Sequence, residues 1–233
     1  MKPVIVMNAE RADRDAVELL KAYGTATVHE AMDRSGLMHP YLRPIYDSAR
    51  MCGTAVTVSC HPGDNLMIHA AMEMCKPGDV LVITVTSEST DGMFGELLGV
   101  SAQARGVQGL VIDAGVRDTT ELTELQFPVW AKAFSAKGTV KATPGSVNIP
   151  VVCAGAIVHP GDVVIGDRDG VVVVPKAHAA AVAEAAQGRT EREEKVRERL
   201  ANGELGLDIY GLREKLRSLG VVYVDHHTDK VER

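Results

Sequence analysis

Arg117 and Asp118 stand side by side where an apolar run, GLVIDAG from Gly109 to Gly115, comes to its end. Twenty residues separate Arg117 from an upstream acid, Glu96, in the segment GMFGELLG. A planar guanidinium can grip a carboxylate through two parallel hydrogen bonds. An aspartate is a hard oxygen ligand for a magnesium-type ion, which takes one or two carboxylates and keeps several waters. A helix beginning at Gly95 would add first-turn amides and a partial positive charge. These parts together suit a small α-keto acid. Its carboxylate would lie between Arg117 and the amides near Gly95, Leu97 and Leu98, and its keto oxygen on a divalent ion held by Asp118. A Lewis acid at that oxygen stabilises an enolate, the chemistry of breaking a carbon–carbon bond beside a ketone. The plain alternative is a surface turn carrying two adjacent opposite charges.

Other residues offer rival chemistry. Lys132, in PVWAKAF, is the best candidate for a Schiff-base nucleophile, against the simpler role of a lysine whose stem covers apolar surface. Cys60 beside His61 is half of a metal site at most, and a packed thiol next to a loop histidine explains it equally well. His29 beside Glu30 suits either a proton shuttle or a structural histidine. His69, on a Met- and Ala-rich segment, reads as packing. His226 and His227 sit near the end of the chain, where histidines are usually solvated. Asp167 and Asp169 flank Arg168 in what turn chemistry accounts for.

The elements that must position these residues alternate along the chain. Helical spacing appears over 12–24 and 26–36, each stopped by a glycine. A strand over 48–60, a helix from about Asn65 and a buried strand over 80–86 follow. Next come a helix over 95–106, the strand that ends at Gly115, a helix over 119–127 and a strand over 128–135. Arg117 and Asp118 thus fall beyond the carboxyl end of a strand, where α/β proteins tend to bind ligands. Short strands occupy 149–157, 162–167 and 170–175. KPGDVLVIT and HPGDVVIGD echo one another as Pro-Gly-Asp turns feeding β-branched strands. From Ala177 the sequence becomes helical and then highly charged, which marks residues 1–176 as an α/β domain and 177–233 as a helical arm. An arm of that length fits packing on a neighbouring subunit.

Composition narrows the classes. The chain has 233 residues, 45% hydrophobic and 24% charged, enough for a substantial core, and its net charge of -6 argues against nucleic-acid binding. Four scattered cysteines without a Cys-x-x-Cys pair suggest reduced thiols in a cytoplasmic protein. MKPVIVMNAERADRD does not resemble a signal peptide, and no apolar run approaches the roughly 18 residues of a membrane span.

GELLGVSAQARGVQGLVIDAGVRD resembles the core motif of the metal-dependent 4-hydroxy-4-methyl-2-oxoglutarate / 4-carboxy-4-hydroxy-2-oxoadipate aldolases, in the superfamily that also holds the ribonuclease E activity regulator A proteins. ATVHEAMDRSGL, PGDNLMIHAA, the stretch from PVWAKAF to GVVVVP and GELGLDIYGLREKL extend the resemblance over nearly the whole chain, in order. It implies a layered β/β/α swivelling-type domain associating as trimers or hexamers. Arg117 resembles the arginine that binds the pyruvyl carboxylate, and Asp118 the only direct protein ligand of Mg2+ or Mn2+. Gly95, Glu96, Leu97 and Leu98 resemble the substrate-facing segment. Asn65, Glu30 and Glu193 resemble polar residues around the metal's waters, Asn65 also touching substrate and Glu193 coming from a neighbouring subunit. The motif's acid is often Asp; here Glu96 moves the carboxylate by about one bond, a shift that matters for positioning. The implied activity is class II cleavage of a 4-hydroxy-2-oxo acid to pyruvate, with oxaloacetate decarboxylation as a side reaction, in breakdown of protocatechuate or gallate. The alternative is a non-catalytic binding protein like the ribonuclease regulators.

Overall fold

The computed structural model describes residues 2–225, so His226 and His227 lie outside the described residues. The chain divides into two compact units, Met1–Ala186 and Gln187–Arg233. The sequence changes character at Ala177, yet the first turns of the long helix belong to the first unit, because Ala179, Val182, Ala183 and Ala186 are buried there.

The first unit opens with helices α1 (Arg14–Leu20) and α2 (Thr25–Ala31) and the short strand β1 (Arg43–Pro44). Then come β2 (Met51–Cys60), α3 (Leu66–Ala71), β3 (Asp79–Val85), β4 (Gly92–Phe94), α4 (Glu96–Ala104), β5 (Gly109–Val116), α5 (Thr119–Glu124) and β6 (Val129–Phe134). β7 (Ser146–Val147), the hairpin β8 (Val151–Cys153) and β9 (Ala156–Val158), β10 (Val163–Gly166) and β11 (Val171–Val174) complete it. The main sheet runs β1-β6-β5-β3-β2-β10-β11, with β4 added beside β5 and β7 beside β2. β2, β3, β5 and β6 are mutually parallel, joined by the crossover segments that carry α3, α4 and α5. The expected α/β class is therefore what the chain adopts.

Position in the sheet explains burial. β2 looks alternating in sequence, but it lies at the centre and is buried on both faces along nearly its whole length. Leu110, Ile112, Ala114 and Val116 of β5 face one core with α3, α4 and α5, while Val111 faces another with Trp130 and Met51. The sheet curls around this second core. The Trp130 indole N–H donates to the Asp167 carbonyl at 2.9 Å, tying β6 to the end of β10 across the curl.

The Pro-Gly-Asp echo has a structural cause. At 61–64, 76–79 and 159–162 the Asp amide donates to the carbonyl three residues before it, and the glycine has positive φ (69°, 95° and 84°). This is a type II arrangement, for which glycine carries no Cβ penalty. Each aspartate is buried and is satisfied by local amides: Asp79 takes the Lys76 N–H at 2.7 Å and Asp162 the His159 N–H at 2.8 Å. Asp167 likewise receives the Thr25 N–H and hydroxyl, closing the start of α2, while Arg168 pairs with Asp47.

The second unit is described by the remainder of α6 (Ala179–Ala201), α7 (Gly206–Ile209) and α8 (Leu212–Ser218). Its charged face is laced by ion pairs such as Arg189–Glu193 at 2.7 Å and Arg199–Glu204 at 2.6 Å. No helix among the described residues is long and apolar enough to cross a membrane.

Candidate active site at the carboxyl end of β5

β5 ends beside β4, and the Arg117 amide donates to the Phe94 carbonyl at 2.9 Å. The next residue, Asp118, takes a left-handed conformation with φ 52° and ψ 43°. A non-glycine residue held there costs on the order of 1 kcal/mol or more. Asp118 occupies the N-cap position of α5, where an aspartate normally accepts a hydrogen bond from the first turn of its own helix. It makes no such bond. Its carboxylate turns instead toward α4, where Oδ2 accepts the Glu96 N–H at 3.1 Å and lies 3.6 Å from the Arg117 Nε. That last separation is too long for a good hydrogen bond. Both side chains remain about two-fifths exposed, 43% and 40%.

Glycines make this approach possible. A Cβ on Gly95 would stand 2.3 Å from the Asp118 Oδ2 and 3.0 Å from the Arg117 Cγ. Its φ of -145° is ordinary extended backbone, so the requirement is space. A Cβ on Gly92 would meet the Ser135 carbonyl at 2.2 Å and the Arg117 Cβ at 3.1 Å. The short strand β4 was not foreseen in the sequence, where GMF reads as the approach to a helix. It sets the height at which Gly95 meets Asp118.

The pair opens on a cleft of about 440 Å³, with Arg117, Asp118 and Thr119 on one side and Phe134 to Ala136 on the other. Glu96 is half-buried in the first turn of α4. The Leu98 amide is used within the turn, donating to the Gly95 carbonyl at 3.1 Å, and its side chain enters the core. The Leu97 amide has no acceptor within its own helix, and its side chain is exposed. Asn65 precedes α3 and reaches the same strand end: its Nδ2 donates to the Met93 carbonyl at 3.2 Å. The Asn65 Oδ1 is buried with no donor among the described residues, a rare state for a buried carbonyl.

One rim of the site escaped sequence reasoning. The loop after β6 passes Arg117, with the Lys137 carbonyl accepting the Gly92 N–H, and reaches Asp64. Asp64 accepts the Leu66, Ala142 and Thr143 amides at 2.9, 2.8 and 2.6 Å. Burial pushes its carboxyl up, but these amides outweigh it and hold the pKa below the ordinary 3.8. The loop sets Lys141 near His69, which stands on the exposed face of α3 and not in the packing expected of it. Partial burial and then the Lys141 charge lower the imidazole pKa below its ordinary 6.5. The signal available in the sequence was the Pro-Gly-Asp turn at 62–64, whose buried aspartate must find amide donors somewhere.

Not every candidate joins the cluster. Glu30 pairs with Arg34 at 3.0 Å on α2, which packs against β11, four strands from β5 along the sheet. Glu193 belongs to the second unit and pairs with Arg189. Lys132 lies 3.5 Å from Glu88, 3.9 Å from Asp113 and 5.3 Å from the centre of the Tyr41 ring. Two carboxylates and an aromatic ring surround it, unlike an amine set in an apolar pocket. Cys60 is buried in the core, where desolvation pushes its thiol up to about 12, while His61 is exposed; they form no half-site.

Comparison with known proteins agrees with this fold. The family model described as RraA-like: Aldolase/RraA matches residues 25–173. A Halalkalibacterium halodurans protein named "Putative 4-hydroxy-4-methyl-2-oxoglutarate aldolase" is 30% identical over 81% of this chain and 90% of its own length. A Burkholderia multivorans protein of the same name is 34% identical over 59% of this chain and 83% of its own. The crystal structure of Streptomyces coelicolor RraAS2, described as an unusual member of the RNase ES inhibitor RraA protein family, superposes with a TM-score of 0.73. It is 27% identical over 82% of this chain and 99% of that one. With the fold, the family match and these relatives in agreement, the chain belongs to the RraA-like, Aldolase/RraA family.

Proposed function

We propose that this protein is a divalent-metal-dependent pyruvate aldolase acting on 4-hydroxy-2-oxo acids, among them 4-carboxy-4-hydroxy-2-oxoadipate and 4-hydroxy-4-methyl-2-oxoglutarate. The observation that carries the reading is Asp118, withdrawn from capping its own helix and left open to a cleft beside an arginine. A residue that takes a strained backbone and forgoes its local hydrogen bond is a mark of a functional position.

The donor set fits Mg2+ or Mn2+. Asp118 supplies one hard carboxylate, and one of its oxygens has no hydrogen bond among the described residues. A site of one carboxylate with waters and substrate oxygens is ordinary for such ions. When bound, the ion supplies Lewis-acid stabilisation to a keto oxygen that gains negative charge. The other roles fall to side chains and amides. Arg117 holds the substrate carboxylate and orients the keto acid along the cleft. The Leu97 amide, at the positive end of α4, adds a donor toward the same carboxylate. Glu96 orients the water that accepts the C4 hydroxyl proton as the C3–C4 bond breaks, and protonation at C3 then releases pyruvate. The Asn65 carboxamide, with its buried Oδ1, fixes polar groups deeper in the site. A carboxymethyl-bearing substrate would give oxaloacetate as the second product, open to decarboxylation in the same site, and would place the enzyme in aromatic catabolism.

Glu30 and Glu193, if they complete the shell around the ion, come from a neighbouring copy in a trimer or hexamer. The β8–β9 hairpin supports self-association: its cross-strand pair Val152 and Ile157 is 58% and 64% exposed. A second reading, a non-catalytic regulator, is favoured by one observation, the 99% coverage of the RraAS2 chain.

The test is pyruvate release from 4-carboxy-4-hydroxy-2-oxoadipate after EDTA treatment and again after adding Mg2+ or Mn2+. Activity lost to EDTA and restored by metal is expected, and Arg117→Ala should lower kcat/KM by an amount equivalent to about 2–5 kcal/mol. Activity indifferent to EDTA, with borohydride trapping at Lys132, would replace the mechanism. No lyase activity together with direct binding to ribonuclease E would replace the function.

A further inference from the structure

At the opposite end of the sheet, where β2, β3 and β5 begin, lies a cavity of about 460 Å³ that the proposed aldolase chemistry does not use. α1 and the residues just before it form one wall, with Ala12 and Val17 apolar and buried, and the Pro77-Gly78 turn forms the other. A second cavity of about 230 Å³ adjoins it, sharing Lys21 and Gln108 and adding Arg50. The two make a groove whose charged lining is four cations, Arg11, Arg14, Lys21 and Arg50, and one carboxylate, Glu18, in a chain whose net charge is -6.

The charges differ in how they are used. Asp79, beneath the groove, is fully committed: it accepts from the Arg11 Nε and Nη2, the Thr54 hydroxyl and the Lys76 amide. Glu18 is paired with Lys21 at 2.6 Å. Arg14 and Arg50 have no hydrogen bond or ion pair among the described residues. Arg105, which also has none, lies at the same end of the sheet, near Cys75 and Arg11. The lining thus holds two guanidinium groups with unclaimed donors. Arg11 is different again. Bonds to Asp79, Ala9 and Met74 hold its plane, and 22% of the side chain remains open. A fixed guanidinium plane beside apolar walls is a stacking surface for a flat heterocycle. Exposed arginines with unclaimed donors, Arg14 and Arg50, are suited to phosphate oxygens.

We propose that this groove binds a nucleoside diphosphate, its base stacked against Arg11 between Ala12 and Pro77 and its phosphates on Arg14, Lys21 and Arg50. The volume lies in the ordinary range for small-molecule sites, about 300–1,000 Å³. β5 leads from this groove, at Gln108, to Arg117 and Asp118 at its other end, so the two sites are on opposite ends of one strand.

The test is calorimetric titration of the full chain with ADP in EDTA at low ionic strength, using adenosine and pyrophosphate as separate probes. Saturable ADP binding is expected, with adenosine and pyrophosphate each weaker. Arg14→Ala combined with Arg50→Ala should raise the Kd at least about tenfold, the loss of one or two charge-assisted contacts. Both residues are exposed and unpaired, so an unchanged melting temperature shows that the fold is intact. Arg117→Ala should bind ADP as the wild type does, which separates this groove from the cleft at Asp118. Absence of saturable binding at millimolar ADP overturns the proposal. So does binding lost in Arg117→Ala but kept in the double variant, and so does pyrophosphate binding as tightly as ADP.

Discussion

Two arginine–aspartate pairs occupy the two ends of the parallel strands of one sheet, and they are built in opposite ways. Arg11 and Asp79, at the amino end, make a two-pronged contact at 2.8 and 2.7 Å. Asp79 is 1% exposed and has every local donor it needs. Arg117 and Asp118, at the carboxyl end, stand 3.6 Å apart on a strained backbone, both open to a cleft. The first pair is closed on itself and holds α1's approach to the start of β3. The second is kept apart although the residues are adjacent, and one Asp118 oxygen remains for something else while the other takes the Glu96 N–H. A pair that saturates itself stabilises the fold; a pair prevented from doing so is available for a ligand.

The comparison breaks most readily at Asp79. Asp79→Ala leaves a largely buried guanidinium without its partner and strips acceptors from Thr54 and Lys76. It should cost about 3–5 kcal/mol of stability in a denaturant titration. Asp118→Asn keeps a residue that tolerates the left-handed conformation, and its stability should stay within about 0.5 kcal/mol of wild type while activity is lost. Equal destabilisation by the two variants would erase the distinction.

Gly95→Ala sharpens it from another side. The added Cβ falls 2.3 Å from the Asp118 carboxylate and must displace it. Activity should fall on the order of 10²-fold with the melting temperature little changed, since misplacement of about 1 Å at a reacting centre has that effect. Wild-type kinetics in this variant would mean that the position of Asp118 does not matter.

The smallest effect concerns the rim. The Asp64 pKa is depressed in the folded state, so its amide contacts add stability in full above the ordinary carboxylate value of 3.8. That contribution is lost as pH falls through the lower folded value. Unfolding midpoints should therefore drop as pH falls from about 3.8 through the lower folded value, and Asp64→Asn should flatten that part of the profile. An unchanged slope in the variant would show that other carboxylates carry the acid response.

Much of this was legible in the order of residues. The strand ending at Gly115, the turn residues at the three Pro-Gly-Asp sites and the placing of Arg117 and Asp118 beyond a strand end follow from local rules. Periodicity and turn chemistry act over a few residues, and so they survive without knowledge of the partner strands. β4 and β7 did not show, because strands of three and two residues form only where a neighbouring strand supplies the hydrogen bonds. The burial of β2 did not show for the same reason: it depends on having sheet and helices on both sides.

The site divides along the same line. The sequence by itself determined which chemistry is possible, because a guanidinium, two carboxylates and a glycine-flanked helix start are properties of residue type and spacing. Only the tertiary structure decided that Asp118 turns from its own helix to the Glu96 amide. Only it decided that Gly95 is needed for room and not for its φ, and that Lys141 comes to His69 through a loop fastened by Asp64. Those outcomes rest on atoms brought within 4 Å from distant parts of the chain, and such contacts are set by packing rather than by neighbours in sequence.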